Sequence, residues 1–447
     1  MKQTDVLVIG GSAAGLTAAI TAKRYFKDKK VTLVRKEEKV LIPCGIPYIF
    51  GTVGSPEKNL IPESMLDNNG IELVIDEVTE IDRHSKAASL LNSGSLIYDK
   101  LILATGSSPV VPPVKGAGLE GVFVVKKDVA YLEQLKSALD KARNLVIVGG
   151  GFIGVELADE CRKGRELNVT IIELLPHCLA LAFDDEICAL AEEKLRSQGI
   201  NIITGTKVEE FLGDGKVEQV RLSNGEILPA DVVIFGIGVA PNIELAQKAG
   251  LKVDNRFGIW VDDYMRTSDA SIFAIGDCAE KSSFFGHGPS LIKLASVATH
   301  EARVAGANLF GLRRARGAAV GVFSTIVGDL ALGSVGLTER AAREAGIEVV
   351  TGNAKAPDRH PGSMPGAREL GVKLIFTIDT GVIVGGQAYG GAAVGELTNL
   401  LAAAVQHKMR ADELETMQVG THPALTASPI AYQVTNAAED AVLKLRS

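Results

Sequence analysis

The chain has 447 residues, 46% of them apolar and 23% charged, with a formal net charge of -7. The length suits roughly two to four domains, and the acidic balance argues against a nucleic-acid partner. No apolar run reaches the ~18 to 20 residues of a bilayer span, and five cysteines without a CxxC pair argue against a disulfide framework or zinc ribbon and for a reducing cytoplasm.

Asp5–Ile9 reads as a short buried strand that begins too early to leave room for a signal-peptide core. Gly10-Gly11-Ser12-Ala13-Ala14-Gly15 follows as a glycine turn, then a helix from Leu16 to Lys27 and a second strand at Val31–Val34. Such a turn lets the backbone approach a pyrophosphate seated on free N–H groups at a helix N-terminus, with Ser12 as a small stand-in for the middle glycine. Gly10, Ser12, Ala13, Ala14 and Gly15 are therefore candidate dinucleotide contacts. The second strand ends Val34-Arg35-Lys36-Glu37-Glu38, with Arg35 where a ribose-binding acid is expected. Two readings stay open: Glu37 or Glu38 serves the ribose, or Arg35 or Lys36 contacts adenosine or phosphate.

Cys44 follows in Ile42-Pro43-Cys44-Gly45-Ile46-Pro47-Tyr48, read as a loop entering a helix whose N-terminus would favour thiolate. Cys161, Cys178, Cys188 and Cys278 read as buried and inert. Leu101–Ala104, Thr105 and Gly106 complete the first unit.

The same grammar returns at 145–148, with Gly149-Gly150-Gly151-Phe152-Ile153-Gly154, a helix from Val155, and a strand Val169–Ile172 ending at Glu173. A carboxylate there bonds a ribose 2′-OH and repels a 2′-phosphate, which favours NADH over NADPH. The later echo of this loop holds Gly236 and Gly238. Ile272–Ile275 leads into Gly276-Asp277, whose carboxylate can bond a ribityl hydroxyl; two such sites imply FAD plus NADH. A helix is expected from Leu291 to Phe310, and Arg313-Arg314-Ala315-Arg316-Gly317 reads as a linker or as a solvated helix end. From about residue 320 a third domain of mixed strands and helices is expected. Glycine is in excess, 48 residues or about 11% against roughly 7% usual. Most of the surplus sits in the nucleotide motifs and in a cluster at Gly381, Gly385, Gly386, Gly390, Gly391 and Gly395, read as a turn-rich hairpin.

Together, the loops at 10–15 and 149–154, Ala104-Thr105-Gly106, Gly276-Asp277 and Cys44-Gly45-Ile46-Pro47-Tyr48 resemble the FAD-dependent pyridine nucleotide–disulfide oxidoreductases. A single active cysteine resembles the subgroup of coenzyme A-disulfide reductases, NADH oxidases, NADH peroxidases and NAD(P)H:polysulfide or persulfide reductases, with the stretch around Cys44 most similar to the polysulfide branch. The resemblance implies an α/β fold: two Rossmann-like dinucleotide-binding domains, FAD at 1–112 and 245–318 and NAD at 113–244, plus a C-terminal α+β dimerisation domain at 319–447. It implies a homodimer, with pairing into a dimer of dimers left open. It extends the FAD site to Val78, Leu294 and Ala295 and the NAD site to Glu156, with Phe152 as a gate.

Peroxidases and oxidases of the subgroup carry a histidine at the position of Ala13, and the disulfide reductases carry two tyrosines where this chain has His360 and Thr421-His422. Both absences favour a small sulfur substrate, with coenzyme A a further candidate ligand and oxygen reduction the alternative. The resemblance brings the partner subunit's segment 420–429 to the cysteine, making His422, and less so His360, acid–base candidates. Lys23 and Arg24 are candidates for coenzyme A phosphates. His84, His177, His287, His300 and His407 read as packing or surface residues, and no metal-ligand spacing is present.

Overall fold

A computed structural model describes residues 2–286 and 288–446; His287 lies outside the described residues. Two compact units emerge. The first holds residues 1–112, 123–141 and 237–319, and the second holds 113–122, 142–236 and 320–447. Residues 123–141, expected with the NAD domain, thus cluster with the first unit.

In the first unit, β1 (Lys2–Ile9), β2 (Val31–Arg35), β3 (Glu72–Ile75), β4 (Val78–Asp82), β5 (Ala87–Leu90) and β6 (Gly94–Leu103) form one sheet in the order β3-β2-β1-β6-β5-β4. The strand Ile272–Ala274 pairs parallel to β6. β1, β2 and β3 are parallel neighbours, as βαβ crossovers require. β1 and β2 are buried through Val6–Ile9 and Val31–Val34, so both sheet faces are covered. Helix α1 (Ala13–Tyr25) covers one face through Leu16, Ala18, Ala19 and Ala22. The helix expected at 291–310 spans Ala295–Asn308 and packs on α1. The expected linker is no linker at Arg316. Its side chain is buried, donating to Glu280 O at 2.6 Å and to Ser282 Oγ at 3.1 Å, so it closes the unit.

The second unit repeats the pattern with β7 (Asn144–Val148), β8 (Asn168–Ile172), β9 (Ile200–Ile203) and β10 (Val232–Phe235), parallel in the order β9-β8-β7-β10. Helix α2 (Phe152–Arg162) follows the glycine loop. Residues from 322 form a five-stranded antiparallel sheet in the order 322–327, 330–336, 383–390, 369–377, 349–357. Helices Val394–Gln406 and Gln433–Arg446 pack on it. The glycine cluster is only partly turn. Gly381 lies in the hairpin bend with φ +68°, whereas Gly385 and Gly386 sit inside a strand, where a Cβ at Gly385 would strike the Leu337 backbone.

Candidate functional site

Each glycine loop is a tight bend that side chains would keep from closing. Gly10 has φ +111° and Gly149 has φ +108°, a region L-residues avoid. Each donates its N–H to the end of the second strand of its unit at 2.8 Å, Gly10 to Val34 O and Gly149 to Ile172 O. A Cβ on Gly15 would collide with Gly10 O, and one on Gly154 with Gly149 O. Both helices therefore start with their N-terminal N–H groups open to an anion. Ser12 is the N-cap residue of α1, and Ala13 and Ala14 are in its first turn. Gly276, at φ +71°, has Ala14 Cβ 3.0 Å from where its own Cβ would be, so Ala14 closes the loop against the Gly276-Asp277 turn.

That turn is held from below. Gly276 N–H donates to buried Glu301 Oε2 at 2.8 Å, and buried Lys281 Nζ donates to Gly276 O at 2.6 Å and Ala279 O at 2.9 Å. Sequence reasoning missed this pair; buried charges that need partners are the only signal for them. Asp277 Oδ2 accepts from Ser107 Oγ at 2.7 Å. Thr105 Oγ1 donates to Asn242 O, and Asn242 Nδ2 donates back to Thr105 O, both at 2.8 Å, which ties Ala104-Thr105-Gly106 down. Leu294 and Ala295 open the helix 295–308, and Val78 opens β4 half-buried.

Cys44 is exposed, whereas Cys161, Cys178, Cys188 and Cys278 are buried. Burial pushes the thiols of Cys161, Cys178 and Cys188 up to about 12 and raises that of Cys278, which leaves them poor thiolates. The expected helix after Cys44 is instead two 3₁₀ turns, Pro43–Gly45 and Pro47–Phe50. A long-helix dipole is therefore no support for its thiolate. Buried Asn59 braces the turn: its Nδ2 donates to Ile42 O at 2.9 Å, and Ile42 N–H donates to Asn59 O at 2.9 Å.

Lys23 Nζ donates to Lys27 O at 2.9 Å and Lys29 O at 2.8 Å, in the turn that follows α1; Arg24 is exposed. Arg35 is buried, whereas Lys36 and Glu38 are exposed.

In the second unit, Glu173 stands at the end of β8 and accepts from Gly150 N–H at 2.5 Å and from Leu175 N–H at 2.7 Å. Gly151 is the N-cap of α2, and Ile153 is exposed. Glu156 accepts from Thr325 Oγ1 at 2.8 Å; burial raises its carboxyl to about 7. The ring of Phe152 stacks on Phe323 at 5.1 Å and 14°, and meets Phe183 edge-on at 6.1 Å. Gly238 clusters with the first unit, where its O accepts from Val110 N–H at 3.1 Å; Gly236 is the glycine packed beside Gly154. His360 and the 420–429 segment come together. His360 N–H donates to Pro423 O at 3.1 Å, the His360 ring Nδ1 lies 3.1 Å from Thr426 O, and Arg359 Nη1 donates to Ala424 O at 2.8 Å. The exposed His422 ring accepts from Ala424 N–H at 3.2 Å. Among the described residues no cluster of His, Cys, Asp and Glu could hold a metal ion, and no helix is long and apolar enough to cross a membrane.

Two nucleotide-binding loops in one chain, with an exposed cysteine on a braced turn in the unit of the first, mark the class of oxidoreductase that couples a nicotinamide nucleotide to sulfur through a flavin. The chain belongs to the pyridine nucleotide-disulphide oxidoreductases: that family matches residues 4–302, and its dimerisation domain matches 322–430. An NADH oxidase of Methanocaldococcus jannaschii is 34% identical, covering 98% of this chain and 99% of its own. An NAD(P)H coenzyme A polysulfide/persulfide reductase of Pyrococcus horikoshii is 33% identical, covering 86% and 87%. The solved NAD-dependent persulfide reductase of A. fulgidus superimposes with a TM-score of 0.91 at 33% identity, covering 98% of this chain and 83% of its own. The protein is thus an enzyme of this family, which uses FAD and a nicotinamide nucleotide.

Proposed function

We propose that this chain is a cytoplasmic homodimeric NADH:persulfide or polysulfide reductase with Cys44 as its nucleophile. The observation that carries it is Cys44 itself, the exposed cysteine on a turn braced by Asn59 in the unit of the first cradle. The persulfide and polysulfide reductases among its relatives support the same reading. In this reading FAD lies along the loop 10–15 toward Asp277, and the nicotinamide nucleotide lies along 149–154. Their domains are 1–112 with 245–318, and 113–244, with 319–447 pairing the subunits. The fit is physical: the glycines let each loop close tightly on its own strand and helix, and the loop N–H groups suit pyrophosphates. Glu173, at the ribose position, supports NADH over NADPH.

Bound FAD supplies a two-electron carrier between hydride donor and sulfur. The chain supplies the rest. The Cys44 thiolate attacks the outer sulfur of a persulfide RSSH, an S–S bond breaks, RS⁻ leaves, and Cys44 carries –SSH. Two electrons then cleave that S–S bond, freeing HS⁻ and restoring the thiolate. His422, or His360 beside it, protonates the departing sulfur. Coenzyme A is a fitting carrier for the persulfide. The alternative, oxygen reduction through a Cys44 sulfenic acid, is favoured by the NADH oxidase relative.

The test is steady-state NADH oxidation with polysulfide, coenzyme A persulfide, coenzyme A disulfide, peroxide and oxygen, repeated for Cys44→Ser. The variant should keep FAD and accept hydride from NADH, yet lose sulfide release. Undiminished sulfide release by Cys44→Ser ends the reading, and oxygen turnover far above sulfur turnover selects the alternative.

A further inference from the structure

The two nucleotide units can be compared position by position. Ile9 pairs with Val34 across β1 and β2, and Val148 pairs with Ile172 across β7 and β8. The next residues, Arg35 and Glu173, therefore occupy the same place beside their loops. The second glycine of each loop agrees: a Cβ on Gly11 would lie 3.1 Å from Arg35 Cβ, and one on Gly150 would lie 3.1 Å from Glu173 Cβ. Where the second unit offers a carboxylate to a ribose, the first unit holds a guanidinium.

A guanidinium only donates hydrogen bonds, whereas a ribose hydroxyl must also give up a proton to an acceptor. The site contains one. Arg35 Nη2 lies 2.6 Å from Glu63 Oε1 and donates to Glu38 O at 2.8 Å. The Arg35 side chain is 3% exposed, and its Nε is buried without a hydrogen-bond partner, a costly state that a ligand atom would relieve. Glu63 is 58% exposed at the head of the short helix Ser64–Asp67, so its second oxygen is free to meet a hydroxyl. By contrast Glu38 gives its backbone carbonyl, not its carboxylate, to Arg35.

We propose that Glu63, brought in by Arg35, is the carboxylate that receives the adenosine ribose hydroxyls of FAD, with Arg35 Nε donating to the same adenosine. The acid missing from the end of β2 is replaced by one 28 residues later in the chain. This inference rests on FAD occupying the first cradle and adds to it the residue that reads the adenosine.

The experiment measures FAD binding by the apoprotein through quenching of flavin fluorescence. Wild type is compared with Glu63→Gln, Glu63→Asp, Glu37→Gln and Glu38→Gln. Each is titrated with FAD and with a synthetic FAD whose adenosine lacks both ribose hydroxyls. Glu63→Gln should weaken FAD about tenfold, as expected for one lost charge-assisted hydrogen bond. The analogue should weaken binding similarly in wild type but add little in Glu63→Gln. Glu63→Asp should recover part of the loss, and the Glu37 and Glu38 variants should bind FAD as wild type does. An analogue penalty as large in Glu63→Gln as in wild type, or one that vanishes in Glu37→Gln or Glu38→Gln, overturns the assignment. Wild-type apoprotein that takes up no FAD overturns the functional reading instead, and this one with it.

Discussion

Glu156, in the first turns of α2, is a carboxyl held near neutrality. Burial raises it from the ordinary range to about 7, and the Thr325 hydroxyl beside it does not offset that. Between pH about 4.5 and 7 the folded chain keeps a proton there that the unfolded chain has lost. Stability therefore falls as pH rises through that window, by about 3 kcal/mol at most. Glu156→Gln removes the penalty, so its Tm relative to wild type should climb between pH 5 and pH 8. A difference that stays flat with pH would refute this. At this scale the sequence was informative where a motif fixes a position: Glu173 ends a strand and Cys44 sits in a distinctive run. It was silent on Glu63, Asn59 and Glu301, whose importance comes from partners 17 to 28 residues away. No local pattern encodes such pairings.

At the level of elements, periodicity located β1, α1, β2 and their repeats within one to three residues, because continuous buried runs and glycine bends leave few alternatives. The stretch after Cys44 was misread as a helix. Pro43 and Pro47 each fix φ and remove a donor, so the chain closes two short turns rather than one ladder. The second turn is anchored through Ile49 and Phe50, 0% and 1% exposed, which leaves Asn59 as the brace on the first. Asn59→Ala should cost about 1 to 2 kcal/mol by thermal unfolding, since Ile42 O loses a donor. Sulfide release should fall more than NADH-driven reduction of ferricyanide, which needs the flavin but not Cys44. Equal loss in both assays would mean that the turn braces the flavin unit as a whole.

For the whole molecule, the sequence told of two nucleotide units and a C-terminal domain, but it could not show how the latter is fastened. Within the second unit the tie is ionic. Buried Lys373 Nζ, on the antiparallel sheet, lies 3.0 Å from Asp184, 2.6 Å from Glu186 and 2.8 Å from Glu339, and Gln387 Nε2 donates to Asp184 at 2.6 Å. These carboxylates raise the Lys373 pKa despite its burial. Lys373→Ala strands a buried Asp184 and should cost about 3 to 5 kcal/mol. Urea unfolding followed by circular dichroism checks this; a midpoint unchanged from wild type would show the cluster to be energetically neutral.

The sorting of the five cysteines gives the enzyme a built-in tally. A colourless aromatic disulfide reagent such as Ellman's should release one equivalent of coloured thiolate per native chain and five after denaturation, because the other four sulfurs are shielded from it. The native count, divided by bound flavin, then reports the fraction of competent subunits in any preparation before a substrate is added.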